Sequence, residues 1–176
     1  MIKKLDQYYD VLRISEYFES IKNNGNYGQV SLSYRPDQLP YIDGCGSTYK
    51  NNSRAEKNFH ENEFTEIVQS VENPIYDIID DVRHLARTDY SLNIGRIRFM
   101  TLLPKTCLSY HKDDEEIRFH IPVVTNHKCF FIIDDQVFRM EKPGQLYTLK
   151  TDCFHTPVNA DINLHRTHLV FSTYKI

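Results

Sequence analysis

The chain has 176 residues, 40% hydrophobic and 26% charged, the size and mix of one globular domain with a single sizeable core. Its net charge of −3 provides no basic surplus for nucleic acid. The longest apolar runs, such as Cys129-Phe-Phe-Ile-Ile133, are too short to span a bilayer, so no membrane association is expected.

Met1-Ile-Lys-Lys-Leu-Asp6 lacks the apolar stretch of a secretion signal, which predicts a cytoplasmic protein. The four cysteines (Cys45, Cys107, Cys129, Cys153) form no Cys-x-x-Cys pair and are expected as buried thiols in a reducing compartment. Residues 3–22 read as a helix, with Leu5, Tyr8, Tyr9, Leu12, Tyr17, Phe18 and Ile21 at roughly helical spacing and Asn23-Asn-Gly25 ending it. Residues 29–34 alternate as a strand does, up to the break at Arg35-Pro36. Residues 35–60 are rich in Gly, Asn, Ser and Pro and predict a long loop centred on Asp43-Gly-Cys-Gly-Ser47. Glu63 to Arg87 predicts one or two helices, with Asn73-Pro74 as the break. From Gly95 onward, strands are predicted at 95–103, 117–124, 128–134, 136–140, 145–150, 153–158 and 165–174. Helices followed by many short strands predict a mainly β protein, an antiparallel double-sheet jelly roll with helices packed outside. We read residues 1–176 as a single domain, with a helical portion and loop over 1–90 and a jelly-roll catalytic core over 91–176.

The chemistry-bearing residues cluster in the β-rich part. His111 and Asp113 are two apart, so on a strand they face the same way, and His155 opens a later strand that a jelly roll can bring opposite them. Two imidazoles and one carboxylate leave open coordination positions, as non-haem Fe(II) needs in order to bind O2 and a co-substrate. Arg166, on the last strand, offers a planar fork suited to a carboxylate. Each piece alone has a plainer reading, since a lone His-x-Asp pair is a weak signal and a lone histidine is usually a hydrogen-bonded structural residue. The order and spacing of the whole set carry the argument.

The stretch from Arg96 to Tyr174 resembles the aspartyl/asparaginyl β-hydroxylase-like branch of the Fe(II)/2-oxoglutarate dioxygenases, which includes free-proline hydroxylases. The residues that carry this resemblance are Arg96-Ile-Arg-Phe-Met100, Pro104 seven positions before His111, His111-x-Asp113, Arg118-Phe-His-Ile-Pro122, Thr125-Asn126, Gly144, His155-x-x-Val-Asn159 and Arg166-x-His-Leu-Val170. The resemblance implies a double-stranded β-helix, a cupin-like fold, with His111, Asp113 and His155 as iron ligands. It also implies that Arg166 binds the C5 carboxylate of 2-oxoglutarate, with Arg118 and His120 near the C1 end. Before residue 90 it is weaker, and Asp43-Gly-Cys-Gly-Ser47 and Glu61-Asn-Glu-Phe64 receive no role.

The expected cofactors are therefore Fe(II), 2-oxoglutarate and O2, acting on a free amino acid, an amino-acid side chain of a peptide, or another small molecule. Arg96 and Arg98 are candidates to hold a substrate carboxylate, against the plainer reading of an exposed or ion-paired strand face. Asn159 is a further substrate candidate, against a role in bonding the backbone of a turn. Asp114, Glu115 and Glu116 read first as a solvated acidic loop and second as a surface for a cationic substrate group. Two other readings compete: a cupin-like metal enzyme that does not use 2-oxoglutarate, and a non-catalytic metal-binding sensor or interaction module. Arg166 discriminates among them, since neither needs an arginine at that spacing.

Overall fold

The computed structural model describes residues 1–50, 56–69 and 73–176. In chain order its elements are β1 (Ile2–Tyr8), α1 (Val11–Ile21), β2 (Gln29–Ser31), β3 (Ser33–Tyr34), β4 (Glu66–Ile67), α2 (Asn73–Tyr90) and β5 (Leu92–Leu102). There follow β6 (Thr106–Cys107), β7 (Ile117–Val124), β8 (Cys129–Ile133), β9 (Gln136–Phe138), β10 (Gln145–Lys150), β11 (His155–Asn159) and β12 (Arg166–Lys175). The chain divides into two compact units, Met1–Ser15 with Met100–Val170, and Glu16–Phe99 with Phe171–Ile176. The long strands β5 and β12 contribute residues to both.

The first unit carries the jelly-roll sheets. One has neighbours in the order β1-β10-β7-β12-β5, and the other in the order β6-β11-β8-β9. The pairings of β10 with β1 and β7, and of β8 with β11 and β9, are antiparallel, and the sheets do not close into a barrel. Their inner faces meet in a cluster of Phe131 and Ile133 from one sheet, Tyr147 and Leu149 from the other, and Met140. Strand β8 shows why its residues suit this place: Cys129, Phe131 and Ile133 are buried while Phe130 and Ile132 are partly exposed, the period-two pattern of a strand with one face inward. The β8–β9 hairpin turns on Asp134 and Asp135, both at positive φ (44° and 63°), which is the twist a two-residue hairpin loop requires. Gly144 also sits at positive φ, and a Cβ there would lie 2.4 Å from the Tyr9 carbonyl oxygen, so a side chain is excluded twice over.

The second unit holds most of α1, all of α2, the two-stranded β3–β4 sheet, and β2 beside β5. Helix α2 buries Ile75, Ile78, Ile79, Val82 and Ala86, the spacing of one helical face. Phe18 packs on Phe99 with ring centroids 4.9 Å apart. The buried ion pair of Arg96 and Glu61 (2.6 Å) lies under Phe59, whose ring centre is 4.4 Å from the guanidinium carbon. Gly95 lets this strand approach: a Cβ there would lie 2.3 Å from the Glu61 carbonyl oxygen.

Several local expectations are corrected. Residues 2–8 are not helical; Ile2, Lys3 and Lys4 pair with Leu149, Thr148 and Tyr147, because β10 offers them an open edge. The helix begins only at Val11, where Asp10 Oδ1 accepts the Leu12 amide at 3.0 Å. Glu66–Ile67 form β4 rather than helix, and Asn73-Pro74 starts α2 instead of breaking a helix, as suits a proline in a first turn. Residues 51–55 of the expected long loop and residues 70–72 of the expected helix lie outside the described residues. Of the four cysteines only Cys129 is buried; Cys107 is exposed because β6 is a two-residue edge strand. Among the described residues no helix is long and apolar enough to cross a membrane.

Candidate metal centre and anion site

His111, Asp113 and His155 come together in the first unit, though not on one regular strand as expected. His111 forms an isolated antiparallel bridge with His155, the first residue of β11. Their amides and carbonyls exchange hydrogen bonds of 3.1 and 2.8 Å, and the Asp113 amide donates to the Thr151 carbonyl at 2.8 Å. Backbone pairing across the sheet edge therefore does the placing.

The imidazoles are oriented from behind. His111 Nδ1 lies 2.6 Å from the Ser109 carbonyl oxygen and His155 Nδ1 lies 3.0 Å from the Cys153 carbonyl oxygen. A carbonyl can only accept, so both rings carry their proton on Nδ1 and present a bare Nε2. The two Nε2 atoms face the same carboxylate, 3.6 Å from Asp113 Oδ1 and 3.4 Å from Asp113 Oδ2 respectively. One ligand atom from each residue falls within 4.8 Å of the others. Bonds of about 2.1 Å to a shared cation at right angles put donor atoms about 3 Å apart, so a small rotation of these side chains seats a dication. Burial lowers the His111 imidazole below its ordinary value, against the pull of the Ser109 carbonyl and Asp113, and keeps it neutral as a ligand must be. Burial also acts to raise the Asp113 carboxyl, but the Arg118 guanidinium outweighs it and holds the group well below the usual carboxylate range.

Arg118 lies on β7 and places Nη1 3.0 Å from Asp113 Oδ2 and Nη2 3.1 Å from Glu115 Oε2. The acidic run is thus not uniformly solvated: Asp114 and Glu116 are exposed, whereas the Glu115 side chain is nearly covered. The buried Thr151 closes the loop, its hydroxyl donating to the Glu115 carbonyl at 2.6 Å and its amide to the Glu116 carbonyl at 3.0 Å.

Arg166, at the start of β12, is 4% exposed and, among the described residues, has no carboxylate partner. Its guanidinium carbon sits 4.6 Å from the centre of the Phe131 ring. Burial lowers its pKa to about 10. Its Nη2 lies 3.2 Å from Nδ1 of His168, which must accept because arginine only donates. His168 Nε2 therefore carries the proton, and it is buried with no hydrogen-bond partner among the described residues. Burial first, then Arg166 and His120, hold His168 far below the usual imidazole range and so neutral. The His120 ring is 5.7 Å from both the Phe131 and the His168 rings. A buried cation beside a ring with a buried, unmatched N–H suits an anionic ligand.

The remaining candidates are placed differently. Arg96 and Arg98 belong to the second unit. Arg96 is taken up by both Glu61 carboxylate oxygens, the Gly44 carbonyl and Thr48, and Arg98 donates to Ser172 at 3.4 Å. The first of those Glu61 contacts is made by the Arg96 backbone amide. Asn159 is fully buried, its amide nitrogen donating to the carbonyls of Leu102, Leu103 and Leu164 and its oxygen accepting from the Asp161 amide. Sequence reasoning missed Thr151 and the covered place of Glu115. Neither carries a local signal, since both roles come from contacts across the sheet edge.

Residues 56–175, well over half of the chain, match the aspartyl/asparaginyl β-hydroxylase family, and the protein belongs to it. No curated protein matches the sequence. The viral collagen prolyl hydroxylase of Paramecium bursaria chlorella virus 1, solved as its 2-oxoglutarate complex, superposes with a TM-score of 0.61 at 9% identity, covering 99% of this chain and 96% of that one. A prolyl 4-hydroxylase from Pseudomonas putida gives 0.57 at 8% identity, covering 99% and 92%. A 2-oxoglutarate–Fe(II) oxygenase family protein from Burkholderia pseudomallei gives 0.49 at 18% identity, and the chain spans 60% of its length. At these identities the likeness to the two prolyl hydroxylases shows a shared jelly-roll fold.

Proposed function

We propose that this protein is an Fe(II)- and 2-oxoglutarate-dependent oxygenase that hydroxylates an amino acid, an amino-acid side chain of a peptide, or another small molecule. In this reading His111, Asp113 and His155 hold the metal, with their bare Nε2 atoms and the Asp113 carboxylate as donors. Bound iron supplies what side chains lack, activation of O2 with 2-oxoglutarate as the reductant, so that one oxygen atom enters a substrate C–H bond.

The chain's own groups do the rest. Arg166 binds the far carboxylate of 2-oxoglutarate through its fork, His168 holds that fork in place, and the Phe131 face keeps water from it. Arg118 and His120, alternating on β7, line the route to the near carboxylate. The observation that carries the reading is Arg166 itself: a buried guanidinium that meets no carboxylate among the described residues, in the same unit as the His-Asp-His cluster. A metal enzyme without 2-oxoglutarate, or a sensor, has no need of it.

Anaerobic titration of the purified protein with Fe(II) and then 2-oxoglutarate tests this. The expected result is the weak visible charge-transfer band of chelated 2-oxoglutarate, absent in Arg166→Ala at the same concentrations. Iron binding with no band in the wild type removes 2-oxoglutarate from the account.

A further inference from the structure

From the contacts around Asp113 we infer that Glu115 is a positioning residue whose charge lets Arg118 and a dication share the Asp113 carboxylate. The inference rests on the metal reading above. Arg118 Nη1 is 3.0 Å from Asp113 Oδ2, the same oxygen that His155 Nε2 faces at 3.4 Å. A guanidinium there repels an arriving dication. Glu115 meets the other end of the same guanidinium, Nη2 to Oε2 at 3.1 Å, and its side chain is only 9% exposed. Solvent therefore screens the pair poorly, and Thr151 anchors the Glu115 backbone so that the carboxylate stays in place. Two carboxylates and one guanidinium, Asp113, Glu115 and Arg118 together carry one net negative charge. Without Glu115 these groups carry none, and the Asp113 carboxylate beside Arg118 attracts the metal less.

A charge cycle read by Mn(II) affinity, followed through the electron spin resonance signal of free Mn(II), tests this. Glu115→Gln should weaken Mn(II) binding roughly tenfold, the effect of one charge beside a dication at partly covered range. Arg118→Gln should strengthen it, the double variant should return to near the wild-type value, and Glu115→Asp should retain most of the affinity. Opposite signs that cancel are not produced by loosening a loop, which lowers affinity in every variant. Wild-type affinity in Glu115→Gln, or equal losses in Glu115→Gln and Glu115→Asp, overturns the role given to the charge. Failure of the metal reading looks different: the wild type itself binds no Mn(II), or His111→Ala binds it equally well.

Discussion

Two buried arginines should respond very differently to the same substitution. Arg96 and Arg166 are 1% and 4% exposed. Arg96 is ion-paired to Glu61 at 2.6 Å, so Arg96→Met takes the guanidinium away from a buried carboxylate and should cost about 3–5 kcal/mol. For Arg166, burial lowers the guanidinium pKa well below its ordinary value, to about 10, a penalty on the folded cation of about 3 kcal/mol. The sign follows from the lowered value: at neutral pH the arginine is charged in both states and the folded protein carries the whole penalty, which is relieved as pH rises through about 10. Against it stand the contact with Phe131, worth about 1–2 kcal/mol, and the hydrogen bond to His168, worth about 1 kcal/mol. The two sides nearly cancel, so Arg166→Met should leave ligand-free stability within about 1 kcal/mol of the wild type. For a chain of this length each kcal/mol moves Tm by about 2–4 °C, so Arg96→Met should lower it by about 10 °C and Arg166→Met should scarcely move it. Ligand-free urea denaturation and calorimetry measure both. Adding 2-oxoglutarate with Mn(II) should raise the wild-type Tm and not that of Arg166→Met, because a paired anion removes the penalty. The reasoning is refuted if Arg166→Met loses as much ligand-free stability as Arg96→Met, for then Arg166 is compensated internally and is not waiting for an anion.

Substituting His111, Asp113 or His155 by Ala should each abolish turnover and Mn(II) binding while the metal-free circular dichroism spectrum is retained; full activity in any one removes that residue from the ligand set. Asn159→Ala should destabilise by about 2–4 kcal/mol, because it strips bonds from three backbone carbonyls, and leave KM for substrate unchanged; a raised KM at wild-type stability would instead make Asn159 a substrate contact. Thr151→Val keeps the shape but deletes the hydroxyl bond to Glu115, and should cost about 1–2 kcal/mol while weakening Mn(II) binding. Unchanged Mn(II) affinity in that variant would show that the loop needs no such tie.

The sequence by itself determined the β-rich half and its turns, because strand alternation and Asp-Asp or Pro-Gly turn signals are local properties of backbone and side chain. The strands expected at 117–124 and 145–150 stand where they were read, and those at 128–134 and 165–174 are displaced by one residue at their ends. His111, Asp113 and His155 likewise stand out by spacing alone, and the fold brings their donor atoms within 4.8 Å of one another. Tertiary structure alone decided that residues 2–8 become a strand, since their partner is an edge of β10 more than a hundred residues away. It also decided that Glu115 is covered while its neighbours Asp114 and Glu116 are solvated. The two arginines differ for the same reason: both read as strand arginines that could hold a ligand carboxylate, but whether a protein carboxylate waits opposite depends on how distant segments meet. Charge compensation is a property of that meeting, and no window of sequence contains it.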